Sequence, residues 1–207
     1  MRMFRRLAVS AAATALLLGP AAGVAGAAAH PATHAPAAAR ITGGATTVTT
    51  GPGIAAALVK NGIVPLATDP GRSALTQRPG YLAERFTFPV TGGRITLSPL
   101  AGQIRHLGGI LFLSPRNGKQ VQVSNFIINL TRGTLTGIVN GNPRARVALF
   151  RLDLSHAHLR GAPHVLRAVG IGLVLTRTAA RALNAALGTS LFTAGLRLGS
   201  AATVLRI

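Results

Sequence analysis

From residue 41 onward, apolar and polar residues alternate over short runs that are separated by Gly, Pro, Asn and Asp, which is the period-two signature of half-buried strands. Ile41 to Thr50 is Thr-rich and strand-like. Phe86 to Val90 and Ile95 to Leu97 are predicted to flank a turn at Thr91-Gly92-Gly93-Arg94, and Gly102 to Leu107 leads to Ile110 to Ser114. Pro115-Arg116-Asn117-Gly118 marks a further turn before Val121 to Leu130. Within that run the apolar parity changes from Val121 and Val123 to Phe126, Ile128 and Leu130, which predicts a bulge near Ser124 or Asn125. Thr134 to Val139, Val147 to Leu154 and Val165 to Leu175 continue the meander. In the last of these Val165, Val169, Ile171, Leu173 and Leu175 share one parity, so one face is expected to cover a core.

Two segments switch to a helical period. Pro52 to Asn61 has Thr50 upstream as a cap and Gly62 beyond it. Thr178 to Leu187 places Ala179, Leu183, Ala186 and Leu187 on one stripe before Gly188. Both share an order of strand, Thr-rich cap, Ala/Leu helix, Gly stop and strand, a faint internal repeat that sets similar units at opposite ends of the meander. The fold class that follows is mainly β, a β-rich α+β domain. It is an antiparallel, sandwich-like meander with two short helices, near residues 52–61 and 178–187.

The start of the chain reads differently. Arg2, Arg5 and Arg6 precede an apolar, charge-free run from Leu7 to Leu18, then Gly19-Pro20 and a tract of small residues. This is the layout of a secretory signal peptide over residues 1–29, with an A-x-A type cut between Ala25 and His30. The apolar run is dense only over a short stretch, which favours cleavage over retention as an anchor. The adjacent Arg5-Arg6 pair hints at twin-arginine export, but the residues around it give that little support and a general signal peptide is the expected reading. Residues 30–40 carry two prolines and no periodicity and are expected to form a linker, leaving residues 41–207 as one domain. No later segment has the length and hydropathy of a membrane span.

Composition narrows the chemistry. The chain holds only three acids, Asp69, Glu84 and Asp153, against twenty Arg and two Lys, and it has no Cys. Paired-carboxylate hydrolysis, multi-carboxylate Mg²⁺ or Ca²⁺ sites and thiol chemistry are thereby nearly excluded. The Ser residues show no His–Asp partnership by spacing, so no catalytic residue is expected. A hydrolase remains conceivable only where Asp153 and a His converge on a Ser. The formal charge of +19 falls to +16 once Arg2, Arg5 and Arg6 leave with the leader, and such a field attracts polyanions. The arginines stand singly, as at Arg94, Arg105, Arg116, Arg132 and Arg144, and there is one Tyr and no Trp for base stacking. An anionic cell-wall or membrane surface is therefore the expected partner, and nucleic acid is not. The Arg, Ala and Gly bias points to a GC-rich genome.

Against this background, Phe86-Thr87-Phe88-Pro89-Val90, Gly102 to Leu111, Val121 to Leu130, Gly133-Thr134-Leu135-Thr136 and Leu152-Asp153-Leu154-Ser155 resemble the HtaA-type domains of actinobacterial haem-uptake proteins. Ala182 to Thr189, Gly195 and Leu198-Gly199 look like related secreted actinobacterial proteins, so the resemblance spans about residues 86–207. It implies an antiparallel β domain at the cell envelope that binds haem or a similar apolar ligand. The family's haem-ligating Tyr lies in a Trp-containing segment before the Phe-x-Phe-Pro stretch; here that segment lacks Trp and offers Tyr81. The family's His stands beside the glycines of a Gly-His-x-Gly turn; here Gly109 occupies about that place, and His106 stands two residues before Gly108. Tyr81 and His106 are the candidate cofactor-binding residues.

The other histidines carry less. His106 shares parity with Ile104 and faces either a pocket or a hydrogen-bonded place in the core. His30 and His34 fall in the linker without a third donor. His156 and His158 alternate on one face, with His164 beyond Pro163, but Asp153 has the opposite parity, so no metal site is expected and these read as exposed turn residues. The expectation is an exported, monomeric, non-enzymatic protein, secreted or wall-associated, with haem as candidate ligand. The alternative is an adhesive envelope protein that holds anionic polymers through surface arginines.

Overall fold

The computed structural model describes residues 38–207. The expected signal peptide and most of the expected linker lie outside them. In chain order the elements are β1 (Ala39–Ile41), β2 (Gly43–Thr50), α1 (Ile54–Lys60), β3 (Val64–Thr68), β4 (Arg72–Arg78), β5 (Tyr81–Leu97), β6 (Leu100–His106), β7 (Gly109–Ser114), β8 (Lys119–Asn129), β9 (Thr134–Val139), β10 (Asn142–Asp153), β11 (His158–Ala162), β12 (Val165–Leu175), α2 (Arg177–Leu187) and β13 (Arg197–Arg206).

The expected mainly β, antiparallel architecture is present, and the sheet closes on itself. Starting at β5, hydrogen-bonded neighbours run β2, β13, β12, β10, β9, β8 and β6, and β6 returns to β5. An eight-stranded ring has an interior just wide enough for side chains to fill or for one small ligand. The wall forks where its two longest partners outrun β6. Tyr81 to Thr87 of β5 pairs with β4 while Val90 to Leu97 pairs with β6, and β8 divides likewise between β7 and β6. β3 then adds to β7. The break between β6 and β7 falls at Gly108, where φ is 88° and a Cβ would stand 2.7 Å from the Gly71 nitrogen, so only glycine fits.

Inward positions build one continuous core. Six phenylalanines, at 86, 88, 112, 126, 150 and 192, share one half of the lumen with Leu183 of α2. Phe88 and Phe126 meet edge to face with centroids 5.0 Å apart. Each such buried ring contributes about 1.5–3 kcal/mol by leaving water. α2 packs on β7, β8 and β10 and buries Ala179, Ala180, Leu183 and Leu187; of the predicted stripe, Ala186 is only half-buried, and Ala180 joins it instead. Its Thr176 cap accepts a hydrogen bond from the Ala179 amide at 3.1 Å, and Gly188 ends it with φ 66°.

Several local expectations change. No turn interrupts residues 91–94: β5 runs through them, and the Gly92-Gly93 pair makes a register shift with φ near 146° instead. The predicted bulge in β8 is present, with register lost between Ser124 and Ile127 and Asn125 at φ 51°. In β12 the single apolar parity does not hold. Leu166 is buried while Val169 is 45% exposed, because a bulge at Gly170, φ 78°, moves the inward set to Ile171, Leu173 and Leu175. α1 begins after Gly53 without a side-chain cap, since the Thr50 hydroxyl accepts from the Glu84 amide instead. The two strand–helix units also differ. α1 leads into β3, which pairs with β7, whereas α2 leads into β13, which pairs with β12 itself. β1 starts at Ala39, so the last two residues of the expected linker pair with Ile95 and Arg94.

Candidate binding site

Tyr81 begins β5 just after a tight hairpin. Arg78 and Tyr81 are direct cross-strand partners, so Pro79 and Gly80 form the loop, with Pro fixing the first corner and Gly80 taking φ 80° at the second. The half-buried Tyr81 stands where two depressions meet. One is an apolar groove of about 1040 Å³ between α1 and strands β3 to β5. Its surface carries Val59 at 73% exposure and Leu75 at 67%, with Val64, Leu66 and Leu82 also exposed, a concentration of apolar surface that water does not favour. The other is a polar depression of about 540 Å³ that brings Arg78, Arg197, Thr49, Thr50 and Ser200 to the same tyrosine.

Glu84 also lines the groove. Burial without a cationic partner pushes its carboxyl up to about 7, so near neutrality the groove holds a partly protonated acid. Arg197 reaches from the polar depression to Asp153, an ion pair. Hydrogen bonds from the Ser155 hydroxyl and amide, with Arg197, hold Asp153 well below the usual carboxylate range.

His106 lies elsewhere. It is the last residue of β6, 4% exposed, inside the aromatic half of the lumen, and it lines no cavity in common with Tyr81. Its Nδ1 stands 3.3 Å from the Phe126 carbonyl, and its Nε2 stands 2.7 Å from the Thr46 hydroxyl, which lies 2.9 Å from that of Thr203. A carbonyl only accepts, so Nδ1 carries the proton and Nε2 accepts from Thr46, whose oxygen in turn accepts from Thr203. Burial pulls the imidazole down to about 4, so it is neutral at pH 7. This is the hydrogen-bonded core histidine that its strand parity allowed for.

His156, His158 and His164 are exposed, and among the described residues no three His, Cys, Asp or Glu side chains gather as a metal would require. Asp153, Ser155 and His156 do touch. Ser155 Oγ donates to Asp153 Oδ1 at 2.7 Å and lies 2.8 Å from His156 Nδ1. The order is not that of a nucleophilic triad, in which the imidazole stands between acid and hydroxyl. Here the serine stands in the middle, on an exposed turn closed by its own amide bond to Asp153 at 3.0 Å.

With this geometry in hand, the chain can be set beside solved structures. It superposes on the crystal structure of the C-terminal domain of HtaA from Corynebacterium glutamicum with a TM-score of 0.55 and 15% identity, over 81% of this chain and 98% of that one. The fold is the HtaA domain fold. The domain-swapped dimer of the H434A variant of the same domain matches at TM-score 0.48 and 16% identity, over 74% of this chain and 87% of that one. No family model matches the chain, and no curated protein matches it in sequence. No helix of the described residues is long and apolar enough to cross a membrane.

Several residues of the candidate site carried no signal in the sequence. Arg197 joins Tyr81 only because β13 pairs with β2 and β2 with β5. Arg78 and Glu84 sit near Tyr81 in sequence, yet nothing in their spacing marks them. Thr46 and Thr203, the partners of His106, lie directly opposite one another on β2 and β13.

Proposed function

We infer that the protein is an exported, non-catalytic binding protein of the cell envelope, acting as a single copy. Its ligand is haem, or a similar flat apolar molecule bearing carboxylates, taken into the groove beside Tyr81. The observation that carries this reading is the position of Tyr81 at the junction of an apolar groove and an arginine-bearing depression. The resemblance at residues 86–207 supplies haem as the candidate. The residues present suit it: a phenol oxygen is an established donor to haem iron, the exposed Val59, Leu75 and Leu82 offer an apolar bed, Arg78 offers a guanidinium fork to a carboxylate, and Arg197, paired with Asp153, lies beside it. Bound there, haem would supply only its iron as the point of attachment. His106 is not a ligand in this reading, because its ring is enclosed and both nitrogens are engaged.

A haemin titration of the purified protein, followed in the Soret band, tests this. Saturable one-to-one binding is expected, lost in Tyr81→Phe and kept in His106→Ala. A featureless titration of the wild type, or one unchanged by Tyr81→Phe, overturns it.

A second reading, adhesion to anionic wall polymers, is favoured by one feature of the outer wall. Arg40 and Arg94 are direct cross-strand partners, and Arg94 stands opposite Gln103, two residues from Arg105. The three arginines ring an open depression of about 600 Å³ that contains no acid. Like charges directly opposite are unfavourable unless an anion joins them. This reading predicts release from isolated cell envelopes by moderate salt, weakened retention in Arg40→Ala/Arg94→Ala, and no chromophore.

A further inference from the structure

The two halves of the barrel lumen are packed differently. The aromatic half leaves only about 60 Å³ free. The other half contains no aromatic side chain at all and leaves a cavity of about 200 Å³. Its walls come from β5, β6, β8, β12 and β13 of the ring and from β11 beside it, and they include Ile95, Leu97, Leu154, Leu159, Leu166 and Ala168, with Thr203 as the only polar residue among those that line it. The Thr203 hydroxyl is turned to account by Thr46 and the side chain is 2% exposed, so it closes the cavity towards the His106 layer without offering a charge. A fold that needed only a packed core would fill this space, because unfilled apolar volume is destabilising.

The cavity is not sealed. Leu97 is 53% exposed and Leu159 is 45% exposed, so an apolar lip reaches solvent from the same walls. An aliphatic lining with an open apolar lip, and with no charged side chain lining it, excludes a polar head group from the interior. It accepts an unbranched chain entering end first. By volume the space takes about eight carbons, given that a cavity of ~150 Å³ holds a benzene ring.

The geometry points to this half of the lumen as a binding site for one alkyl chain of an amphiphile, the chain inside and the head group at the Leu97–Leu159 lip. The site is separate from the groove at Tyr81, and the two share no lining residue.

The test is calorimetric titration of the purified protein with butanoate, hexanoate, octanoate, decanoate and dodecanoate below their micelle concentrations. Saturable one-to-one binding is expected, tightening about fourfold per added methylene until the chain outgrows the lumen. Ala168→Phe, which fills the cavity, should weaken decanoate binding at least tenfold. Should that variant fold poorly, the exposed pair Leu97→Ser/Leu159→Ser should weaken binding several-fold with an unchanged melting temperature. Tyr81→Phe should leave chain binding intact, which separates this site from the haem reading. Co-sedimentation with phosphatidylcholine vesicles, lost in the lip variant, would assign the chain to a membrane lipid; titration with the monomeric acid alone would assign it to a free fatty acid. Absence of saturable binding in both arms, no dependence on chain length, or binding indifferent to Ala168→Phe would each overturn the proposal.

Discussion

Thr46 donates its hydroxyl proton to Nε2 of His106 across 2.7 Å, in the half of the lumen whose other lining residues are all apolar. The direction follows from the far side of the ring. Because the Phe126 carbonyl needs a proton on Nδ1, Nε2 is left as an acceptor, and a hydroxyl is what meets it. A second proton on the ring would therefore face Thr46 and require the Thr46–Thr203 pair to reverse, inside a space lined by phenylalanines.

This arrangement makes stability depend on pH. The folded-state value of about 4 lies below the unfolded value of 6.5, so the contribution of His106 is fully present above 6.5 and is lost as pH falls towards 4. A shift of that size is worth about 3 kcal/mol. Thermal melts from pH 7 to pH 4 should show the wild type losing stability over this window, and His106→Gln should flatten the curve. A His106→Gln variant with the same acid sensitivity would place its origin elsewhere.

Glu84 acts in the opposite sense. Its folded-state value, raised to about 7 from 4.5, means that its carboxyl is comfortable when protonated and becomes a liability as pH rises through 7. Glu84→Gln should raise the melting temperature at pH 8 and leave it nearly unchanged at pH 4.5. Equal effects at both values would show that charge is not the cause.

Asn184 of α2 imitates a strand neighbour. Its side-chain amide donates to the Phe192 carbonyl at 2.8 Å and its oxygen accepts from the Phe192 amide at 3.0 Å, which fixes the loop that carries Phe192 into the core. Asn184→Ala removes both bonds and should cost about 2 kcal/mol in urea unfolding. The Thr176→Ala cap variant should cost about 1 kcal/mol, and more if the bond from its hydroxyl to Ala148, 2.7 Å, matters as well.

Gly93 should not tolerate a side chain. Its φ is 147°, and a Cβ there would stand 2.0 Å from the Gln103 carbonyl oxygen on the paired strand. Gly93→Ala should lower the denaturation midpoint markedly, whereas Gly161→Ala, with open space around it, should be nearly neutral.

The sequence disclosed those parts of the fold where one strand face is buried and the other is wet. β8 announced both itself and its bulge, because Val121, Val123, Phe126 and Ile128 change parity at the point where the register breaks. β12 misled on the same principle, since Val165 and Val169 continue the parity of Ile171 while Gly170 shifts the chain between them. β4 and β11 are exposed along almost their whole length and so carry no alternation to read. β3 carries Pro65, which marks it as an edge rather than a central strand. Tyr81 became a candidate through the family resemblance alone, and the parity of His106 left a pocket and the core both open until the fold placed it among the phenylalanines. The groove was not legible, because its exposed leucines and valines belong to four separate elements, α1, β3, β4 and β5, whose neighbours are set by the fork in the wall.

Only three residue pairs, Gln103 with Asn129, Ile104 with Ile128 and Arg105 with Ile127, join β6 to β8 and complete the ring. Every other junction of the ring is held by at least four pairs. In native-state hydrogen exchange this seam should give the lowest opening energy of the barrel wall, since it is the shortest ladder that must part. Once parted, it exposes two unpaired edges of matching register, and an edge of that kind accepts a strand from another copy as readily as its own. The proposed single-copy state thus rests on a closure three residues long.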